Sequence, residues 1–264
     1  MPESLARFLL RHRWIIRPGL ETSAPLEAVD NYLGVLEAAG RSIKDKRALD
    51  FGYGGRFAVG VELLARGAAH VVLCEHMAAL DEERNLALLP EYENYLELRD
   101  GKVRPRPEYM SLLTGDIRRP ELMDGIAPVD FVLSSSVYEH LEDVDGVTRA
   151  LAGVTKPDGL HIHYVDLRDH YFKYPFEMLS YSERVWYGWL NPSSHHNRFR
   201  LQDYRRVFET YFESVEIEVR ERNQDAFERA RQRIRPEFIS GDILEDSVTL
   251  IRVTASKPRK STKS

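Results

Sequence analysis

Short apolar runs alternate with amphipathic stretches along most of the chain. Seven runs have the length and composition of strands: "RALDF" (47–51), "HVVLCE" (70–75), "SLLTG" (111–115), "VDFVLSS" (129–135), "GLHIHYVDL" (159–167), "SVEIEVRE" (214–221) and "DSVTLIRVTA" (246–255). Between them, helical spacing predicts helices over 56–66, on Phe57, Val61, Leu64 and Ala65; over 143–155, opened by Asp143; and over 200–212, around Tyr204, Val207, Phe208 and Tyr211. Residues 25–40 and 224–234 also read as helical. Strands alternating with helices predict an α/β fold, a seven-stranded, mostly parallel sheet with helices on both faces. The strict alternation in "VEIEVRE" suits an antiparallel or edge strand.

Two connections are longer than usual. One, between Glu75 and the third strand, contains "RDGKVRPRPEYM", whose Gly and Pro mark a turn-rich excursion. The other, after the fifth strand, is "RDHYFKYPFEMLSYSERVWYGWLNPSSHHNRF", dense in aromatics and histidines, as lids and binding loops often are.

Composition narrows the partners. A net charge of -5 and a pI near 6.0 argue against a polyanion. The single cysteine, Cys74, excludes an internal disulfide and suggests a reducing compartment. The opening "MPESLARFLLRHRW" is too short and too charged for a secretory signal or a membrane span, so a soluble cytoplasmic protein without a membrane partner is expected.

The candidate chemistry begins at "LDFGYGGRF" (49–57), where Asp50 precedes Gly52, Gly54 and Gly55 between a strand and a helix. Such a turn lets backbone approach a ligand at a helix N-terminus. A pyrophosphate would be repelled by Asp50, whereas an ammonium group would be attracted, and the amino-acid end of S-adenosylmethionine carries one. Glu75, at the end of the second strand, is placed for two ribose hydroxyls. Asp116, just past the third strand, suits an adenine amino group. As a bland alternative, both aspartates are strand-end caps and the glycines a tight turn.

In order, "LDFGYGGRF", "VVLCE", "TGDI", "VDFVLSSSVYEHL" and "LAGVTKPDGLHIHYVDL" resemble the motifs of class I S-adenosylmethionine-dependent methyltransferases of the small-molecule type, over about residues 45–170. The resemblance implies a donor site of Asp50, Gly52, Tyr53, Gly54, Glu75, His76, Asp116, Ile117, Ser134 and Ser135. One position departs from the family pattern: Arg56 stands where a third glycine is usual, which predicts a turn one residue tighter. The implied organisation is a capping helical segment at 1–44, the methyltransferase domain at 45–256 with a substrate lid at 168–200, and a disordered tail at 257–264.

Acceptor chemistry is expected beyond the carboxyl ends of the strands. Asp166 and His170 are the leading candidates for a base; His140 is a site residue by resemblance, or else packs against the sheet. His163, Arg168, Trp186, Trp189, His195, His196 and Arg198 are candidates for acceptor contact, with the tryptophans either stacking in a lid or forming ordinary core. Asp166, Asp169, His170, His195 and His196 also raise a metal site as an alternative, but adjacent histidines are not a chelating pair on one face, so no metal is expected. The reading is methyl transfer to a small polar acceptor, a hydroxyl of a sugar or sugar-containing or natural-product metabolite, with no nucleic acid. The alternatives are an NAD(P)-dependent or nucleotide-sugar Rossmann enzyme and a non-catalytic interaction protein of the same fold. The sequence leaves the oligomeric state open.

Overall fold

The computed structural model describes residues 24–170, 172, 174–191 and 196–259. Of the N-terminal segment, residues 1–23 lie outside that set, as do His195 and the end of the tail. Helix α1 (Pro25–Ala38) starts on a proline, whose fixed φ suits a first helical position. It is followed by β1 (Arg47–Phe51), α2 (Ala58–Ala65), β2 (His70–Glu75) and α3 (Glu82–Leu88). The turn-rich excursion is a hairpin, β3 (Leu96–Arg99) with β4 (Lys102–Pro105), closed by Asp100 and Gly101 at positive φ, the pair that a two-residue hairpin turn demands.

The main sheet continues through β5 (Met110–Thr114), α4 (Pro120–Met123), β6 (Val129–Ser135), α5 (Val144–Gly153) and β7 (Thr155–Asp166). After β7 come α6 (Glu183–Val185) and α7 (Leu201–Tyr211), then β8 (Phe212–Arg222), α8 (Gln224–Ala230), α9 (Ile243–Asp246) and β9 (Val248–Pro258). Strand order is β5-β2-β1-β6-β7-β9-β8. The first five strands in that order are parallel, and β9 runs antiparallel to both β7 and β8. The alternating "VEIEVRE" is therefore the antiparallel edge strand. At "KPDG" the sequence suggests a turn, but β7 already begins at Thr155 and its register against β6 shifts between Val129 and Phe131.

Alternation within the strands divides the core between the two faces. Leu49, Val72, Cys74, Val132, Val165 and Ile251 pack with Val147, Leu151, Tyr204 and Phe208 of α5 and α7. On the other face Ala48, Val71, Leu73, Leu133 and Ile162 pack with Tyr32, Leu36, Val61 and Leu64 of α1 and α2. A third cluster joins Phe176, Leu179 and Trp186 of the insertion after β7 to Phe227, Ala230 and Ile234 of the insertion between β8 and β9. The expected lid is thus half of a small lobe with its own core.

Candidate functional site

Parallel pairing brings the carboxyl ends of β1, β2, β5, β6 and β7 to one edge of the sheet, where Asp50, Glu75, Asp116, Ser135 and Asp166 gather. The glycine turn lies there. Gly52, Gly54 and Gly55 all have positive φ. Gly55, not counted among the expected site residues, is the most constrained: a Cβ would sit 2.1 Å from the Ala79 carbonyl oxygen. Asn85 locks the same turn, accepting the Phe57 N–H at 2.8 Å and donating to the Gly55 carbonyl at 2.9 Å.

Asp50 is buried, and its Oδ2 has no hydrogen-bond partner among the described residues. Burial, and then the charge of Glu75, push its carboxyl up to about 7. A buried carboxyl with an unused oxygen suits a cationic ligand group. Tyr32 of α1 lies close enough to feel the Asp50 charge, and its hydroxyl shares a hydrogen bond of 2.7 Å with Ser135 Oγ. Tyr32 was not legible as a site residue, because its partner is 103 positions away.

Glu75 accepts four backbone N–H groups: Gly54 on Oε2, and His76, Met77 and Ala78 on Oε1. It ties the second strand to the glycine turn. His76 is exposed, and Tyr53 is buried and stacked against Phe57 at 6.3 Å. Ile117 is buried. Asp116 forms an ion pair with Arg118, whose hydrogen bonds lower its carboxyl to about 2. Beside it lies an open depression of about 650 Å³ lined by Thr114, Gly115 and Leu122.

Around Asp166 three histidines converge. His170 Nε2 lies 3.4 Å from Asp166 Oδ2. The His170 ring is 4.5 Å from the His196 ring and 5.2 Å from the His140 ring, and His140 and His196 are 5.4 Å apart. Arg168 grips Asp166 with Nε at 2.9 Å and Nη2 at 2.7 Å. Burial alone would raise the Asp166 carboxyl, but the bonds from His170 and Arg168 outweigh it and hold it well below the ordinary range. His196 is lowered to about 2, by burial first and then by the neighbouring histidines, so it is a neutral wall. Among the described residues no group of three His, Cys, Asp or Glu side chains is arranged to hold a metal ion.

Several expected acceptor contacts are placed elsewhere. His163 is buried on the α5–α7 face, with Nδ1 2.7 Å from Ser134 Oγ and Nε2 3.1 Å from His161, so strand alternation turns both His163 and Ser134 away from the strand-end cleft. Trp186 is fully buried in the lobe core and donates from Nε1 to the His196 carbonyl, whereas Trp189 is exposed. Arg198 is also buried; it donates to the Tyr181 carbonyl at 2.5 Å and lies over the Phe238 ring, which makes it a tie within the lobe. Arg168 points at Asp166. His195 lies outside the described residues.

A glycine turn, an acidic second strand and this strand order define the class I S-adenosylmethionine-dependent methyltransferases. A family model described as a methyltransferase domain matches residues 28–211, and the chain belongs to that family, with S-adenosylmethionine as its methyl donor. No curated protein sequence matches the chain. Among solved structures it is similar to a provisionally named sarcosine dimethylglycine methyltransferase from Galdieria sulphuraria, at 12% identity and TM-score 0.53 over 96% of this chain and 97% of that one. It is also similar to phosphoethanolamine N-methyltransferase 2 of Haemonchus contortus in complex with S-adenosyl-L-methionine, at 15% identity and TM-score 0.51 over 96% of this chain and 60% of that one. The CurJ carbon methyltransferase shares 10% identity at TM-score 0.52, over 90% of this chain and 56% of that one. These likenesses are of fold. Among the described residues no helix is long and apolar enough to cross a membrane.

Proposed function

We propose that the protein methylates a hydroxyl group of a small polar acceptor, a sugar or a sugar-containing or natural-product metabolite. The observation that carries this reading is the Asp166–His170 pair at the end of β7. An imidazole steered by a carboxylate is what a hydroxyl acceptor needs and what a neutral amine does without.

The donor-side residues fit S-adenosylmethionine. Asp50, with its unused Oδ2, takes the ammonium group; the turn of Gly52, Tyr53, Gly54 and Gly55 gives backbone access; Glu75 and His76 flank the ribose; and Asp116 and Ile117 flank the adenine. When bound, the donor supplies an electrophilic methyl group on a sulfonium. His170 donates from Nε2 to Asp166, which leaves Nδ1 to take the acceptor proton as the oxygen bonds to the methyl carbon. The donor would carry the carbon–sulfur electron pair away as S-adenosylhomocysteine. Asp166 then stabilises the imidazolium. His140 and His196 wall the imidazole, and as a neutral ring His196 does not add a competing charge. The lobe of residues 168–200, with Trp189 exposed on it, covers the acceptor and excludes water.

The test is methyl transfer from labelled S-adenosylmethionine to a panel of sugars, glycosides and amines, with product position read by mass spectrometry. An O-methyl product formed by the wild type and lost in His170→Ala is expected. An amine product formed equally by both proteins would overturn the reading.

A further inference from the structure

Glu139 stands beside this machinery and was assigned no role by sequence. It is 1% exposed, in the short turn after β6. Its Oε1 accepts the N–H of Asp166 at 3.4 Å, and its Oε2 makes no hydrogen bond among the described residues. Its backbone carbonyl accepts the Asn197 N–H at 2.7 Å, next to His196. Asn197 returns two bonds from Nδ2, to the Tyr138 and Leu141 carbonyls at 2.8 and 3.0 Å. Glu139 therefore joins three segments: the turn that carries His140, the strand end that carries Asp166, and the lobe segment that carries His196.

Resting on the reading of Asp166 and His170 given above, we propose that Glu139 is a positioning residue for that pair, a neutral buried acid that fixes the Asp166 backbone while leaving Asp166 the single carboxylate facing His170. Two ionised carboxylates on one strand end would repel each other, and the buried one would lack a counter-ion. Of the groups that face Glu139, the Asp166 charge from β7 raises its carboxyl, whereas the Ser136 hydroxyl from its own turn and the Asp166 N–H lower it; Arg168, which attracts its charge, is already engaged by Asp166, and Tyr204 of α7 completes the surround, so burial decides the balance. Burial first, and then the Asp166 charge, push the Glu139 carboxyl up to about 8. Gripped by Arg168 and His170, Asp166 moves the opposite way. Paired acids driven apart in this manner divide between them the roles of charge carrier and neutral support.

The experiment is an NMR pH titration of the Asp166 amide in the full chain, for wild type, Glu139→Gln and Glu139→Leu, with S-adenosylhomocysteine affinity measured alongside. In wild type the Asp166 amide resonance carries an inflection around pH 8, as Glu139 ionises. Glu139→Gln retains an acceptor for the Asp166 amide and loses that inflection, with ligand affinity unchanged. Glu139→Leu removes the acceptor and shifts the Asp166 amide resonance at every pH. If Glu139→Leu does not fold, the Gln variant decides. Identical Asp166 amide titrations in wild type and Glu139→Gln overturn the proposal. Since these readouts need no acceptor, a His170→Ala enzyme that kept its turnover would remove His170 as the base without touching the linkage seen in the titration.

Discussion

His161 Nδ1 faces His163 Nε2 at 3.1 Å, and the direction of that hydrogen bond is set from outside the pair. Thr155 Oγ1 donates its proton to the Leu151 carbonyl at 2.6 Å, so it can only accept from His161 Nε2, 2.7 Å away. His161 Nδ1 must then accept from His163 Nε2, and His163 Nδ1 from the Ser134 hydroxyl at 2.7 Å. Each hydroxyl and ring has its proton assigned by its neighbour.

Both rings are consequently neutral Nε2–H tautomers. Burial lowers His161 to about 3, and burial with the neighbouring ring lowers His163 well below the ordinary value. Nitrogen-15 NMR should show neither ring titrating between pH 5 and 8. A histidine held neutral when folded takes up a proton only on unfolding, so its stabilising contribution is complete above the unfolded value near 6.5 and declines as pH falls. Relative to a His163→Gln variant, wild type should lose about 1.4 kcal/mol of stability per pH unit below 6.5, read by urea unfolding. A constant difference from pH 7 to 5 would refute the assignment.

Donor binding should depend on Asp50. Asp50→Ala is expected to weaken S-adenosylmethionine by ~1.5–3 kcal/mol, the scale of a hydrogen bond to a charged group. Because the carboxyl is raised to about 7 and the ammonium group favours its ionised form, affinity in wild type should climb as pH rises through 7. Calorimetry across pH 6–8 reads both effects. Glu75→Ala should lower affinity and also thermal stability, since it strands the four amides that Glu75 now accepts.

Turnover should depend on Asp166 and His170. His170→Ala or Asp166→Asn is expected to lower kcat by ~10²-fold or more, with donor affinity nearly intact. Wild-type rates in both variants on an O-methylated acceptor across pH 6 to 9 would put the base elsewhere.

The two lobe tryptophans should separate. Trp186→Ala empties a fully buried site and removes one of the two hydrogen bonds to the His196 carbonyl, the other coming from Asn191 Nδ2 at 2.7 Å, so it should cost ~3–5 kcal/mol in thermal or chemical unfolding. Trp189→Ala, at 57% exposure, should change stability by within ~0.5 kcal/mol and act instead on acceptor KM.

What could be read in the sequence follows the range of each contact. The strands were legible because burial on both faces makes their apolar runs continuous, and Asp166 and His170 because they lie four positions apart. Asn85, Glu139 and Asn197 were not: their bonds to Gly55, Asp166 and Tyr138 span 30, 27 and 59 positions, and nothing in an isolated Asn or Glu announces a distant backbone partner. His163 was misplaced because a histidine on a strand reads alike on either face until the register is known. The lobe escaped notice for a related reason, since Phe176 and Trp186 find Phe227 only across two further elements of the chain.

Under the lid role proposed for it, that divided lobe bears on how acceptor preference can be altered. Phe227 meets Phe176 edge-on at 5.4 Å, and Arg235 donates its backbone N–H to the Leu179 carbonyl at 3.1 Å. A graft of residues 168–200 onto a related scaffold would arrive without the surfaces that bury Phe176 and Leu179. Recombination between such enzymes therefore has to carry residues 223–247 along with the segment after β7, as a single inherited block cut at four points in the chain.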